Sequence, residues 1–117
     1  MSESFDYIVI GAGSAGCPVA NRLSEDPKNR VLLLEAGPKD RNFWIHIPIG
    51  YYRTMNSPLS WGYKTEPDEG IAGRSLVWPR GKVLGGSSAI NGLVYVRGQK
   101  QDYDHWRQLG NEGWGYD

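Results

Sequence analysis

The sequence predicts an α/β fold: a βαβ unit with parallel strands, then a long irregular excursion, then a second glycine-rich segment leading into a short helix. Three observations carry that expectation. Two strand-length runs, Tyr7-Ile8-Val9-Ile10 and Val31-Leu32-Leu33-Leu34, flank a segment with helical spacing. Glycine supplies 16 of the 117 residues, roughly twice its average usage, and gathers at a few places without forming a repeat. Between Gly37 and Pro79 hydrophobic periodicity disappears.

Residues 5 to 35 read as strand, tight turn, helix, loop and strand. The helical stretch follows Gly13 and places Ala15, Val19, Ala20 and Leu23 on one stripe that can lie against a sheet. Pro18 is compatible with a helix only near its start, where the missing N–H would have no intrahelical partner, so the helix should begin near Ala15. Ser24 to Asn29, with Pro27 inside, stops it. The excursion from Gly37 to Pro79 holds five prolines, five glycines and three tryptophans. Phe43, Trp44, Tyr51, Tyr52, Trp61, Tyr63 and Trp78 give it more apolar surface than a solvated linker leaves wet, so something should cover it. Residues 81 to 98 form the second glycine-rich block, with the apolar stretch Ala89 to Val96 inside it. Residues 102 to 109 read as a short helix with Asp102 as its cap, Tyr103, Trp106 and Leu109 on adjoining faces, and Gly110 as its stop.

Composition excludes several classes of function. Thirteen basic and thirteen acidic residues cancel, so no summed field attracts nucleic acid or anionic lipid. With 39% hydrophobic and 22% charged residues the chain should be globular and bury a core. Cys17 is the single cysteine and the polarity of the first four residues is nearly unbroken, which points to no internal disulfide, no secretory signal and a reducing, cytoplasmic setting. The apolar runs are far below the ~20 residues a membrane helix needs. No sequon, internal repeat or low-complexity block occurs.

Gly11-Ala12-Gly13-Ser14-Ala15-Gly16 matches G-x-G-x-x-G at the junction of a predicted strand and helix, the context that identifies a dinucleotide-binding turn of Rossmann type. Gly11 permits the turn, Gly13 leaves room for a pyrophosphate at the backbone, and Gly16 lets helix and strand pack closely. Free N–H groups and the helix dipole then favour the phosphates, the dipole by about 0.3 to 1 kcal/mol. Glu35 ends the second strand 19 residues after Gly16, where a carboxylate can accept both ribose hydroxyls of an adenosine. Its charge disfavours a 2′-phosphate, which makes NADP the poorest candidate, while NAD and FAD share the fingerprint.

The second block, Trp78-Pro79-Arg80-Gly81-Lys82-Val83-Leu84-Gly85-Gly86-Ser87-Ser88-Ala89-Ile90-Asn91-Gly92, pairs exposed backbone amides with hydroxyls and an amide side chain, followed by apolar residues that can line a flat ring. With this block the sequence closely resembles the glucose–methanol–choline (GMC) oxidoreductases, the family of FAD-dependent alcohol oxidases and dehydrogenases, and in particular its choline dehydrogenase-like members. The resemblance runs over the whole chain, through GAGSAG, Glu35-Ala36-Gly37, Trp61-Gly62-Tyr63 and the stretch from Gly81 through Asn91 and Tyr95 to Gly98 and Asp104.

The resemblance implies that Gly11, Gly13, Ser14, Ala15 and Gly16 line the FAD pyrophosphate and that Glu35 with Ala36 holds the adenosine ribose. It also implies that Val83, Gly86, Ser87, Asn91, Gly92, Leu93 and Val94 wrap the ribityl chain and isoalloxazine. Some members bind flavin covalently through a histidine just before that asparagine; Ile90 stands there in this chain, so the FAD should be non-covalent. The activity implied is hydride transfer from an alcohol to flavin N5, with oxygen or another compound as electron acceptor. Family members run to several hundred residues, and the histidine that removes the hydroxyl proton, with its histidine or asparagine partner, lies far along their carboxyl-terminal part. This chain is therefore expected to be an incomplete domain that the remainder of a polypeptide completes, with residues 1–37 as the βαβ dinucleotide unit, 38–80 as a lid-like excursion and 81–117 as the flavin-contacting segment and short helix. Two rivals remain open: an NAD-binding Rossmann dehydrogenase domain, which gives the second block no role, and a non-catalytic piece that docks to another chain.

No residue of the chain is assigned a catalytic role. His46 and His105 lack a carboxylate or nucleophile at a telling spacing, and Cys17 reads as a small packing residue. Asp102 and Asp104 are wrongly spaced for an acid/base pair, and no metal-ligand cluster appears.

Overall fold

A computed structural model describes residues 3–117. Strand β1 (Tyr7–Ile10) and strand β2 (Val31–Leu34) pair in parallel, Tyr7 opposite Val31 and Ile10 opposite Leu34. The pairing continues at both ends: the Asp6 N–H donates to the Arg30 carbonyl at 2.9 Å and the Gly11 N–H to the Leu34 carbonyl at 2.8 Å. Helix α1 (Gly16–Leu23) makes the crossover and touches both strands. Ala15 caps it, so Pro18 is its third residue, inside the turn where a missing N–H costs nothing. Past Leu23 the Asn29 side-chain amide donates to the Leu23 carbonyl at 2.9 Å and ties down the loop that carries Pro27.

The excursion is more regular than its sequence suggests. Turns of 3₁₀ helix at Phe43–His46 and Pro48–Gly50 run into helix α2 (Tyr51–Met55). From Ser60 to Gly81 the chain folds back on itself as a loose antiparallel ribbon bridged at Ser60–Gly81, Lys64–Val77 and Asp68–Arg74. Its far end is closed by the Asp68 carboxylate, which accepts the Gly70 N–H at 2.7 Å. The bridges come only every three or four residues, too sparsely to leave a period-two pattern in the sequence.

Helix α3 (Lys100–Gln108) starts earlier than expected, and Asp102 is not its N-cap. Gln99 holds that position, and Asp102, three residues on, reaches back to accept the Gln99 N–H at 3.1 Å. This is a capping box, a reciprocal arrangement that the Ser/Thr/Asp preference for N-caps hides when glutamine takes the first place. The far end is as expected: Gly110 has φ +96°, its N–H donates to Arg107 and that of Asn111 to Trp106.

The expectation of a buried core holds only locally. Leu59, Val83 and Ile90 cluster beneath Ile45 and Ala89, with Ala12 and Thr54 also buried. No residue of α1 is buried, and Ile8 and Ile10 of β1 are 60% and 84% exposed. Val94, Tyr95 and Val96, within the apolar stretch of the second block, lie outside any regular element and are likewise exposed. The accessible surface is 9422 Å², whereas a compact monomer of 13.1 kDa exposes roughly 6,400 Å². A radius of gyration of 18.6 Å against about 13.4 Å for a compact chain of this length says the same. The architecture is that of an incomplete α/β domain.

Gly37 joins the βαβ unit to the second block so tightly that a Cβ there would lie 2.0 Å from the Lys82 carbonyl oxygen. Backbone cannot swing aside as a side chain can. Gly37→Ala should therefore destabilise the full chain by about 3 kcal/mol, the upper end for overpacking, read as a fall in the urea midpoint.

Candidate functional site

The turn after β1 takes its form from Gly11, whose φ of +95° lies in the left-handed region open to glycine. The chain then enters α1, where Gly16 abuts the turn: a Cβ on it would fall 3.4 Å from Val9 Cγ1 and into the Gly11 carbonyl. Gly13 differs from both. A Cβ on Gly13 would meet only the Gly86 Cα, at 3.8 Å, so the fold itself has room for a side chain there. Among the described residues, the N–H groups of Gly13, Ser14 and Ala15 find no protein acceptor. Three adjacent free amides at a helix N-terminus are the donor set that suits a phosphate.

The second block arrives from the opposite side. Gly85 and Gly86 have φ of +94° and +59°, and a Cβ on Gly86 would lie 2.9 Å from the Gly13 Cα. The Gly85 N–H donates to the Ala12 carbonyl at 2.8 Å and the Leu84 N–H to the Pro38 carbonyl at 2.9 Å. Ser87 Oγ accepts the Gly81 N–H at 3.1 Å and steadies the loop. Two segments about 70 residues apart in sequence thus touch backbone to backbone.

Between them lies an open cleft of about 740 Å³, in the range of ligand sites. Gly11, Gly13, Ser14, Ala15, Gly16, Glu35, Ala36, Gly86 and Ser87 all line it. Ile10, Leu34, Trp61, Arg80 and Gly81 line it as well, and the sequence reading assigned none of them to the site. Arg80 is the one basic side chain among the lining residues. Its position inside the second block was a usable signal; Trp61, which belongs to the resemblance, is brought to the cleft by the Ser60–Gly81 bridge. Trp61 stacks on Tyr63 with planes 1° apart and has the Lys82 ammonium 4.7 Å above its ring.

The other expected site residues fall elsewhere. Val83 is fully buried in the core with Leu59 and Ile90, so its side chain faces away from the cleft. Asn91 and Leu93 line a second, small cavity of about 100 Å³ with Trp44, Ile45, Ile47, Pro48, Tyr51, Thr54, Ser88 and Ala89. There Asn91 Oδ1 accepts the Leu93 N–H at 2.9 Å, and Leu93 has φ +60°, a strained setting for a branched residue. Gly92 lies against the Tyr51 ring, and Val94 is exposed. Tyr51, beside the Tyr52 hydroxyl, has its phenol pushed above its ordinary pKa and stays neutral.

Groups set aside as catalytic are occupied or remote. His46 Nε2 is 2.6 Å from the Asp40 carbonyl, an acceptor only, so that nitrogen carries the proton. His105 lies on α3; Asp104 pairs with Arg107 at 3.2 Å, and Asp102 closes the capping box. Cys17 departs from the packing role expected of it: it is exposed, in a groove with Ala20, Asn21, Ser24, Val31 and Leu33. Among the described residues no cluster of three or more His, Cys, Asp or Glu could hold a metal.

The family model described as GMC oxidoreductase matches residues 5–117. The chain is 57% identical over 113 residues to an alcohol dehydrogenase (acceptor) of Pseudomonas putida, a match covering 96% of this chain and 20% of that protein. To the oxygen-dependent choline dehydrogenase of Photobacterium profundum it is 52% identical over 117 residues, 99% of this chain and 21% of the other. The crystal structure of pyridoxine 4-oxidase from Mesorbium loti superposes with a TM-score of 0.88 at 40% identity, over 97% of this chain and 23% of that one. The chain thus spans about a fifth of the length of the proteins it matches.

Gly13 and Gly86 should respond differently to one added methyl. Gly13→Ala fills space that a ligand needs and the protein does not, so the full chain should keep its thermal midpoint while ADP binding in calorimetry falls by at least about tenfold, or ~1.4 kcal/mol. Gly86→Ala meets backbone and a positive φ together, and should lower the thermal midpoint even without ligand.

Proposed function

The chain belongs to the GMC oxidoreductase family, and we propose that it forms the FAD-binding portion of an enzyme that oxidises an alcohol by hydride transfer to the flavin. The observation that carries this reading is the meeting of two glycine turns on one cleft. An NAD-binding domain needs the first turn but has no use for the second.

The residues present fit FAD. The free amides of Gly13, Ser14 and Ala15 would take the pyrophosphate, with Arg80 as counter-charge and Gly13 leaving the approach open. Glu35 and Ala36, at the end of β2, border the place for the adenosine ribose. Gly86 and Ser87 flank the cleft on its other side, where the flavin end belongs; Val83, Asn91, Gly92, Leu93 and Val94 do not line it. FAD supplies the hydride-accepting ring, and the protein's part is to hold and orient it. Ile90 is 3% exposed and carries no nucleophile, which supports non-covalent attachment.

The substrate in this reading is a small alcohol, and oxygen or another compound takes the electrons. The base that removes the hydroxyl proton would come from elsewhere in the polypeptide. The remainder of the polypeptide would also cover the wet apolar faces of β1, α1 and the aromatic excursion. A reducing, cytoplasmic setting belongs to the same reading.

The full chain should purify yellow. Acid precipitation should leave a colourless pellet and release FAD, identified by its mass; a pellet that keeps the colour would overturn non-covalent attachment. A colourless protein that binds NAD tightly would overturn the reading itself. Arg80→Ala should weaken FAD about fivefold, near 1 kcal/mol, and less at high salt, because an exposed cation acts through a screened field.

A further inference from the structure

Glu35 makes contacts that ribose recognition does not require. Its Oε2 accepts the Ala12 N–H at 2.8 Å and its Oε1 accepts the Gly37 N–H at 2.9 Å. Each of these amides sits beside a hydrogen bond to the second glycine block. Ala12 is fully buried, and its own carbonyl receives the Gly85 N–H at 2.8 Å. Pro38, the residue after Gly37, receives the Leu84 N–H on its carbonyl at 2.9 Å. One carboxylate therefore stands at the root of both bonds that fasten residues 84 and 85 to the βαβ unit.

We propose that Glu35 is a positioning residue that sets the separation of the two halves of the cleft, and so couples the adenosine end of the site to its flavin end. Bonds from backbone N–H to an ionised carboxylate are stronger than neutral ones, and the Ala12 amide has no water to turn to if its acceptor is removed. Freed, the 11–13 turn rotates. Gly13 then shifts against Gly86, whose own approach to the Gly13 Cα leaves no room for even a Cβ. A carboxylate offers about four lone-pair sites, of which two are used here, so the clamp leaves room for the ribose hydroxyls. The ligand half of the inference rests on the FAD reading; the clamp itself does not.

The test uses the full chain freed of cofactor, with Glu35→Ala and the similarly sized Glu35→Gln. Hydrogen exchange is followed at the Leu84 and Gly85 amides, neither of which touches Glu35. Affinity is measured for ADP and, separately, for riboflavin, which has no diphosphate and no adenosine. The clamp requires both amides to exchange at least about tenfold faster in Glu35→Ala, and riboflavin to bind at least about tenfold more weakly. Glu35→Gln, which keeps one acceptor oxygen, should fall between, and it serves alone if the alanine variant does not fold. Unchanged exchange and unchanged riboflavin affinity, with ADP affinity alone reduced, would overturn the proposal and leave Glu35 a ribose ligand only. If the unsubstituted protein binds neither probe, the FAD reading fails, while exchange at Gly85 still decides the clamp.

Discussion

The structure depends on one close approach: the backbone of Ala12 and Gly13 lies against that of Gly85 and Gly86, with no side chain between them. Everything that makes the cleft follows from it. The first turn presents unsatisfied amides on one side, the second closes the opposite wall, and the hydrogen bond from Gly85 to Ala12 holds the spacing. Glycine is required on the Gly86 side for both space and dihedral. On the Gly13 side it is required only by what enters the cleft. Folding and binding thus place different demands on two residues that touch.

Around this junction the protein is open. Its buried cluster of Leu59, Val83 and Ile90 is small, and the two-stranded sheet has no covered outer face. Hydrogen bonds between loops therefore hold the site together where a core would in a compact domain. Two of them, from Leu84 to Pro38 and from Gly85 to Ala12, fasten the second block directly, and two more, from the Ala12 and Gly37 amides to the Glu35 carboxylate, brace the segments that accept them. Each is worth only about 0.5 to 1.5 kcal/mol net, more where a charge takes part. Further burial from the rest of a polypeptide is the natural complement to such a frame.

Much of this was legible in the amino-acid sequence. The βαβ unit could be read because strand and helix periods differ and Gly11, Pro18 and Pro27 punctuate them where the backbone must turn, start or stop. The resemblance of both glycine blocks to one oxidoreductase family indicated the cofactor class, and the matching relatives agree with it. The ribbon from Ser60 to Gly81 was not legible, because its bridges are too sparse to leave an alternating pattern. The start of α3 was misread because a capping box led by Gln99 lacks the usual short polar residue. The resemblance implies a flavin contact for Val83, and the structure buries its side chain with Leu59 and Ile90.

Local periodicity and the glycine motifs by themselves determined the βαβ unit, the turn chemistry and the class of ligand, since each rests on neighbours within a few residues. Only the tertiary structure decided that Arg80 and Trp61 join the cleft, that Asn91 and Leu93 belong to a separate cavity, and that Glu35 grips two backbone amides. Those outcomes depend on contacts between segments far apart in sequence, and no local pattern encodes where two distant loops will meet.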